Sequence, residues 1–536
     1  MVVTNEYTRR SPGGTMNQTN AREQDDLFTT KTAGLPEVAR PGVIRLHDGG
    51  RLDLRIGAVR KSLGGAELRM LGYNGSVPGP VLHVDQGSRI TVQVRNDGDV
   101  DATVHWHGLR LDNRYDGVPH ETQAPIPVGG TFTYQLQFPD AGFYWYHPHI
   151  REDYGLEMGL YGTIIVEPAD LGYWPAASRQ LTLTLDDLFV EDGRIAPFRR
   201  SGPTFVAMGR FGNVMLINGE TEFSGQAAVG EVVRLYVVNT ANTRIFNFAI
   251  RGARAKLVGG DSGRYEHETF TGEVLLAPSE RAVIDVLFDT PGQVRLEHRT
   301  PGHTYDLGAF TVTEGAPSDA AGSFEVLRTD PELVAVHQAI GHDIERPPDK
   351  VLAFYSLMDM MHGDEDTPAS SPAASDAPPP AAEPDPGAAH GGHEHGDGLE
   401  WEDQMLEMNR ASDPSNMIWQ LIDRETGAVN GDISWAFTVG DRVKIRLVNQ
   451  MDSDHPMHHP FHIHGAGRFL ILSRDGKPEV NLVWKDTVLL RAGETVDILL
   501  DVSNPGLWMA HCHIAEHNQA GMMFSFNVAR DRELAR

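Results

Sequence analysis

The sequence contains a single cysteine, Cys512, so the chain cannot form an intramolecular disulfide. It also lacks any apolar run near the roughly 18 residues that a membrane-spanning helix needs, so no membrane span is predicted. Basic residues are few: 46 Lys and Arg against 74 Asp and Glu leave a formal charge of −28. Nucleic-acid binding needs a basic face, and this balance argues against it. What the chain of 536 residues has in quantity is histidine, with 24 residues.

The first 37 residues are polar and show no hydrophobic periodicity. We predict a disordered tail over residues 1–37. The pair Arg9-Arg10 is not followed by the apolar stretch that an export signal requires. As written, the sequence predicts a cytoplasmic protein, with an exported form left open.

Short runs rich in Val, Ile, Thr and Tyr fill most of residues 40–315 and 415–530, with Gly, Pro, Asn and Asp between them. Apolar and polar residues alternate within these runs, which is the period of a half-buried strand. Helical periodicity is scarce. The pattern predicts an all-β fold of the sandwich type.

Three of these runs are copies of one unit. They read TVQVRN, RLYVVN and KIRLVN, and they end in Asn96, Asn239 and Asn449. An Asn-Gly pair precedes each run, and a glycine opens it. Repeats of this length correspond to whole sandwiches rather than to solenoid units. We therefore predict three tandem Greek-key β-sandwiches.

Two histidine pairs of the first copy recur in the third copy. The four His-x-His motifs lie at 105–107, 147–149, 462–464 and 511–513. The middle copy has other residues at these positions, namely Phe248, Ile250, Glu297 and Arg299. The repeat therefore predicts that the outer two copies share one site and that the middle copy has no part in binding its ligand.

The repeat limits divide the chain into domains at 38–170, 171–318 and 319–536. One segment interrupts the third domain: residues 362–399 are rich in Pro, Ala, Gly, Asp and His. From residue 359 to residue 403 there are twelve acidic residues and no Lys or Arg. Such a stretch cannot bury a core, so we predict a disordered, mobile acidic loop.

Each His-x-His motif has the spacing that presents two ligands on one face of a strand. Residues i and i+2 share a face, whereas i+1 points to the other. Four motifs thus supply eight imidazoles, which we call the eight-histidine set: His105, His107, His147, His149, His462, His464, His511 and His513. Cys512 lies between two of them, points to the opposite face, and must serve a different metal.

Cys512 belongs to a second group of ligands. His517 follows it by five residues, Met522 follows His517 by five, and His459 is the remaining imidazole. One thiolate, two imidazoles and a weak thioether are the ligands of blue-copper sites. We call these four residues the blue-copper set. Zinc competes on ligand type, but structural zinc sites seldom need eight histidines and a lone cysteine.

These motifs make the chain resemble the three-domain multicopper oxidases, the family of laccases, bilirubin oxidases and bacterial cuprous oxidases. They read HWHG from 105, HPH from 147, HPFHIHG from 459 and HCHIAEHNQAGM from 511. The resemblance covers roughly 40–315 and 415–530. It implies three cupredoxin-like sandwiches and four copper ions: one of type 1, one of type 2 and two of type 3.

The resemblance also implies a role for each ligand. The blue-copper set would bind the type 1 copper, with Met522 axial. The type 2 copper would be held by His105 and His462. One type 3 copper would be held by His107, His147 and His513, and the other by His149, His464 and His511. Electrons from phenols or aromatic amines would pass one at a time from the type 1 copper through Cys512 to this cluster, where four of them reduce dioxygen to water.

The reduction of dioxygen consumes protons, so an acid is expected near the cluster. Asp116 follows His105 by eleven residues and matches the acidic residue that assists there in the family. The alternative is a solvated turn residue beside Gly117. Several bacterial relatives have a glutamate just after the second type 1 histidine, but this chain has Asn518, which cannot relay protons.

The cuprous oxidases of the family suggest a further substrate. In those proteins Met and Asp residues bind the incoming cuprous ion beside the type 1 copper, and thioethers suit Cu(I). The matching candidates here are Asp359, His455 and Met457, and the acidic loop adds His390, His393 and His395. The match is partial, since the family's methionine five residues before the aspartate is Phe354 here. Cuprous ion is therefore a candidate substrate beside phenols.

Three alternatives stay open on the sequence alone. A copper nitrite reductase also uses cupredoxin repeats, but generally two per chain. A small electron-transfer cupredoxin needs only one sandwich and the blue-copper set. A copper-free relative could serve as a structural protein, although all twelve ligands are present here. The oligomeric state is not determined by the sequence.

Overall fold

The computed structural model describes residues 26–359 and 396–530. Within these ranges the strands form three two-sheet sandwiches, each around its own hydrophobic core. The predicted all-β fold is confirmed. No helix in the described ranges is both long enough and apolar enough to cross a membrane.

The first sandwich packs a five-stranded sheet, in the order β1-β4-β9-β8-β6, against a four-stranded sheet, in the order β3-β2-β5-β7. Its strands are β1 (Val43–Leu46), β2 (Arg51–Leu63), β3 (Ala66–Tyr73), β4 (Val81–Asp85), β5 (Arg89–Asp97), β6 (His105–His107), β7 (Thr131–Gln137), β8 (Gly142–His147) and β9 (Gly162–Glu167). Alternating burial along β2 and β5 shows the period-2 pattern that the sequence predicts.

The middle sandwich pairs the sheet β13-β10-β15-β20-β17-β18 with the sheet β14-β22-β21-β16-β19, beside a small hairpin of β11 and β12. Its strands are β10 (Arg179–Leu188), β11 (Val190–Glu191), β12 (Arg194–Ile195), β13 (Val214–Ile217), β14 (Phe223–Ala228), β15 (Glu231–Asn239), β16 (Phe246–Arg251), β17 (Arg254–Gly260), β18 (Gly263–Thr271), β19 (Glu273–Leu276), β20 (Arg281–Phe288), β21 (Gly292–Arg299) and β22 (Thr304–Thr313).

The third sandwich pairs the sheet β24-β23-β26-β31-β28-β29 with the sheet β25-β33-β32-β27-β30. Its strands are β23 (Lys350–Met358), β24 (Met417–Asp423), β25 (Ala436–Thr438), β26 (Arg442–Asn449), β27 (His459–Ile463), β28 (Gly467–Arg474), β29 (Lys477–Pro478), β30 (Thr487–Leu490), β31 (Thr495–Val502), β32 (Gly506–Cys512) and β33 (Met523–Ala529).

Helices are short and lie between strands. They are α1 (Glu152–Glu157), α2 (Asp319–Ser323), α3 (Pro331–Ala339), α4 (Gly341–Glu345), α5 (Leu406–Ala411) and α6 (Ala515–Gln519), with 3₁₀ turns at Asn113–Tyr115 and Asn430–Asp432. Helices α1 and α6 contact each other, although one follows a strand of the first sandwich and the other a strand of the third. This contact brings the His147 and His513 segments together.

The asparagines that end the repeated runs have the same task in each sandwich. The side-chain amide of Asn96 donates to the carbonyls of Val100 and Ile126, at 2.8 and 2.9 Å. Asn239 and Asn449 each donate to two carbonyls at the corresponding places. Each asparagine thus holds the loop that leads into the strand of the first His-x-His motif or of its counterpart. The three repeats therefore share these asparagine hydrogen bonds to the loop as well as the strand itself.

Two predictions of disorder extended too far. Residues 1–25 of the predicted tail lie outside the described residues, but Phe28 is buried and stacks on Tyr154 with ring centroids 4.0 Å apart. Residues 362–395 of the predicted loop also lie outside them, whereas Leu399 is buried beside Trp401. In both cases one large apolar side chain anchors a polar segment. The free energy gained by burying this side chain offsets the conformational entropy lost when a few residues become ordered.

Candidate functional site: two ligand sets on opposite faces of one strand

The strand registers bring the histidine motifs together in pairs. In the first sandwich β6 runs antiparallel to β8, with His105 opposite His147. In the third, β27 runs antiparallel to β32, with His462 opposite His511. Because residues directly opposite each other in an antiparallel pair share a face, each sandwich presents one compact group of imidazoles.

The two groups interleave where the first and third sandwiches meet. The rings of His107 and His462 stack with centroids 3.8 Å apart, and those of His105 and His464 lie 4.1 Å apart. The Nε2 atoms of His464 and His511 are 3.1 Å apart. All eight side chains are buried. The eight-histidine set is therefore one continuous cluster built from two sandwiches.

Ligand atoms in this cluster form groups small enough to hold a metal ion. Sets of three with all ligand atoms within 4.8 Å of one another include His149 with His464 and His511, His105 with His107 and His147, and His105 with His462 and His464. The first group coincides with one predicted type 3 set. The other predicted type 3 set, His107, His147 and His513, has ring centroids 5.1 to 5.7 Å apart.

The hydrogen bonds of the rings indicate which nitrogens face a metal. Nδ1 of His105 donates to the carbonyl of Asp116, and Nδ1 of His462 to the carbonyl of Asp486, at 2.7 and 2.9 Å. The opposite nitrogens have no hydrogen-bond partner among the described residues, and neither do His107 Nδ1, His147 Nε2 and His149 Nε2. Several unpartnered, buried nitrogens that converge are costly unless a metal binds them. The cluster therefore fits bound copper ions.

The blue-copper set lies on the other face of β32. Cys512 Sγ is 3.5 Å from His459 Nδ1 and 3.7 Å from His517 Nδ1, and Met522 is fully buried in the same core. Burial raises the pKa of the Cys512 thiol well above its ordinary value. A thiolate at this position therefore needs a bound cation, and a thiolate with two imidazoles and a thioether suits copper.

Models of the multicopper oxidase family match residues 58–170 and 402–532. The chain matches the multicopper oxidase family over both outer sandwiches, which carry all twelve candidate ligands. It is therefore a copper-dependent oxidoreductase that oxidises its substrates with dioxygen as the electron acceptor. Both matches are to multicopper oxidases and give no support to the nitrite reductase alternative.

Three curated relatives illustrate the range of the family. The multicopper oxidase MmcO of Mycobacterium tuberculosis is 26% identical over 86% of this chain and 84% of its own length. Laccase-1 of Botryotinia fuckeliana is 26% identical over 87% and 79%. Copper resistance protein A of Pseudomonas syringae is 36% identical over a shorter stretch, 22% of this chain and 19% of its own.

Among solved structures, the multicopper oxidase of Campylobacter jejuni, described as a metallo-oxidase, has the same fold. It superposes with a TM-score of 0.65 at 22% identity and covers 94% of this chain and 99% of its own. The three-sandwich architecture of the oxidase is thus that of the solved multicopper oxidases.

Asp116 lies at the edge of the eight-histidine set rather than in a solvated turn. It is fully buried, and its Oδ2 accepts a hydrogen bond of 2.8 Å from His464 Nδ1. Burial favours the neutral acid, but the neighbouring imidazoles of His464 and His105 outweigh it and hold the pKa of Asp116 well below its ordinary value. Asp116 is thus an anion that orients two predicted ligands.

Two further carboxylates contact the set and were not found from the sequence. Asp486 Oδ1 lies 2.9 Å from His107 Nε2 and pairs with the buried guanidinium of Arg281. Glu152 Oε1 lies 3.1 Å from His147 Nδ1 and 3.7 Å from His513 Nε2. Carboxylates behind metal-binding imidazoles fix their tautomer and orientation. Their roles depend on which elements dock together, and neither residue stands in a motif.

The two residues that flank His517 have separate partners. Asn518 Nδ2 donates a hydrogen bond of 2.7 Å to Glu152 Oε2. Glu516 instead faces the middle sandwich, where it accepts hydrogen bonds from Asn242 Nδ2 and Thr243 Oγ1, at 3.1 and 3.3 Å. The middle sandwich lacks the histidine motifs, but it holds the helix that carries His517.

Aromatic side chains cover the imidazoles of the blue-copper set. Trp419 stacks on His517 with centroids 4.1 Å apart and lies 4.9 Å from His459. Phe354 lies 5.5 Å from His459. Both aromatic residues are buried, and Trp419 Nε1 donates to the carbonyl of Val206 in the middle sandwich. A bulky phenol therefore has no direct contact with either imidazole in this conformation.

The candidate residues for cuprous ion fall at different depths. Asp359 is exposed at the end of β23, at the edge of the described residues, whereas His455 is buried and lies 6.2 Å from Trp419 between ring centroids. Met457 is fully buried in the core of the third sandwich. The loop histidines His390, His393 and His395 lie outside the described residues.

Proposed function

We propose that the oxidase holds four copper ions, one in the blue-copper set and three in the eight-histidine set. The observation that carries the proposal is the convergence of buried imidazole nitrogens without protein partners at the contact of two sandwiches. The type 1 ion would be held by the blue-copper set. The type 2 and the two type 3 ions would be held by the ligands that the resemblance implies. When bound, copper supplies one-electron oxidation of the substrate and four-electron reduction of dioxygen to water.

The protein's own contribution is to place and insulate the ligands. Cys512 is covalently joined to His511 and His513, so the shortest covalent connection between the two ligand sets is a single peptide bond on either side. Asp116, Asp486 and Glu152 orient the imidazoles from behind. Burial of every ligand excludes bulk water and makes these electrostatic contacts stronger.

Metal analysis tests this proposal directly. Protein that is fully loaded and freed of loosely bound metal should contain four copper ions per chain. Two per chain would favour a nitrite reductase type of site, and almost none would favour a copper-free structural relative. Oxygen uptake without release of peroxide should accompany substrate oxidation by the loaded protein.

We further propose that cuprous ion is one substrate and that phenols are also oxidised. The cover of Trp419 and Phe354 over the imidazoles favours a small substrate. Half-buried methionines at the edge of the same core, namely Met358, Met405 and Met408, add thioethers that suit Cu(I). The similarity to a copper resistance protein over part of the chain agrees with this assignment.

Steady-state rates with a phenol, an aromatic diamine and cuprous ion on one preparation test the substrate assignment. The double variant Met457→Leu with Asp359→Asn should raise KM for Cu(I) more than KM for the phenol. A matched control is Met451→Leu with Asp452→Asn, since both of these residues are exposed in the same sandwich. Parent-like Cu(I) kinetics in the first variant would rule out a cuprous site at these residues and leave a laccase-like oxidase.

A further inference from the structure

A cavity of about 580 Å³ lies beside the eight-histidine set, where the first and third sandwiches meet. One wall is formed by His149, which belongs to the set and is 4% exposed. His120 and Glu121, which are exposed, line the same cavity. The cavity therefore connects the protein surface with a group of three imidazoles, since His149 is grouped with His464 and His511.

Two methionines line this cavity, and the strand geometry aims both at the histidine face. Met509 precedes His511 by two residues in β32, so the two side chains share a face. Met523 lies directly opposite His511 on β33. Both methionines therefore flank a predicted copper ligand from the side on which the cavity opens.

The chemistry of these walls suits one ion in particular. Thioethers are soft ligands that bind Cu(I) well, whereas the hard cations Mg²⁺ and Ca²⁺ prefer oxygen. At the exposed end, Asp101 and Glu121 add negative charge, and the chain as a whole carries a formal charge of −28. Arg151 also lines the cavity, but its guanidinium is paired with Asp153 at 2.9 Å. An acidic entrance raises the local concentration of cations, and thioethers then select the soft ones.

We propose that this cavity is the route by which cuprous ion is loaded into the eight-histidine set, with Met509 and Met523 as transient ligands. An ion that leaves them meets His149, His464 and His511, whose ligand atoms lie within 4.8 Å of one another. The buried cluster combines ligands from two sandwiches, so an assembled protein needs such an entrance. The proposal rests on copper occupancy of this set, as proposed above.

The test uses the full-length copper-free protein and anaerobic Cu(I) held in a weak chelator. The variant is Met509→Leu with Met523→Leu, which keeps the apolar volume and removes both thioethers. Copper per chain is measured at timed intervals. The ion at Cys512 is reported separately by the blue absorption of samples that are freed of chelated copper and then oxidised with ferricyanide, because Cu(I) at this site is colourless. We expect the blue ion to load at the parental rate and the remaining ions to enter at least about tenfold more slowly. Matching thermal unfolding of the copper-free variant and parent shows that the fold is kept.

Two further variants sharpen the result. Met451→Leu replaces an exposed methionine of the same sandwich and should load like the parent. Met509→Leu with Met523→Cys restores one soft ligand and should recover most of the loading rate. Parental loading by the double leucine variant overturns the proposal, and a raised KM for dioxygen with parental loading would identify a gas passage instead. Failure of the parent itself to bind more than one copper would contradict the proposed four-copper enzyme, which is a distinguishable outcome.

Discussion

Asn518 of the third sandwich donates a hydrogen bond of 2.7 Å to Glu152 of the first. Asn518 cannot ionise, so the position directly after His517 supplies no acid. The amide instead holds a carboxylate that reaches the same ligands, His147 and His513, from the opposite sandwich. The carboxylate beside these two ligands is thus supplied by the first sandwich and is held by the third.

We expect Glu152→Gln to impair the eight-histidine set and to leave the blue-copper set intact. Glutamine keeps the size of the side chain and removes the anion that orients His147. Loss of such an orienting partner typically lowers metal affinity or activity about 10- to 100-fold. Copper content after dialysis and the rate of reoxidation by dioxygen measure the effect, with exposed Glu407→Gln as the control. Parental values for both quantities would show that Glu152 has no role at the cluster.

Cys512→Ser should abolish the blue colour and the oxidase turnover. The intense absorption of a blue-copper site comes from its thiolate, and serine offers only a hydroxyl. The other copper ions should remain, because no member of the eight-histidine set is changed. Absorption spectra and copper analysis check both points, and a serine variant that stayed blue would refute the assignment of Cys512.

Asp116→Asn should retain copper and allow normal reduction of the blue site, while reoxidation by dioxygen slows at least about tenfold. Asparagine keeps the backbone carbonyl that accepts from His105 and a side-chain oxygen for His464, but it removes the negative charge beside the cluster. Stopped-flow reoxidation of the reduced protein measures the effect. An unchanged rate at full copper loading would exclude Asp116 from the dioxygen half-reaction.

Glu157→Gln should change how stability depends on pH. Burial raises the pKa of Glu157 to about 8, while Arg210 opposes the shift and Asp187 and Glu516 reinforce it. A raised pKa in the folded state means that stability is complete below the ordinary value of 4.5 and is lost as the pH rises towards about 8. Glutamine stays neutral and can still accept the hydrogen bond from the Phe189 amide.

The measurement is urea unfolding of parent and variant at several pH values. The free energy of unfolding of the parent should fall relative to that of the variant by up to ~1.4 kcal/mol per pH unit between pH 5 and 8. The remaining slope of the variant reports other groups, Glu516 among them. Parallel curves for the two proteins would mean that Glu157 titrates at its ordinary pKa.

Much of the architecture could be predicted because the same sequence motifs recur in each sandwich. The asparagines Asn96, Asn239 and Asn449 recur at equal places, and their shared hydrogen-bonding role explains why the pattern is visible. The facing of the His-x-His motifs follows from the period of a strand alone. Local rules therefore sufficed for the sheets and for grouping the histidines into pairs.

Other features depend on docking between sandwiches, which local patterns do not encode. Asp486 approaches His107 across 379 residues of sequence, and nothing near either residue predicts that contact. The inward position of Phe28 was likewise missed, because an average over a polar segment hides a single anchoring ring. The stacking of Trp419 on His517 could not be predicted either, because it depends on how strand β24 packs against the core of the third sandwich.

The interleaving of His107 with His462 has a consequence for how the chain holds together. Each outer sandwich supplies half of a cage, so any ion bound there acts as a cross-link between segments more than 300 residues apart in sequence. A ligand that binds only the assembled state stabilises it in proportion to the logarithm of its free concentration. The chain has one cysteine and so cannot form an intramolecular disulfide. Copper bound between the two sandwiches would act as a reversible cross-link instead. The stability of the contact between the first and third sandwiches would then rise and fall with the free copper concentration.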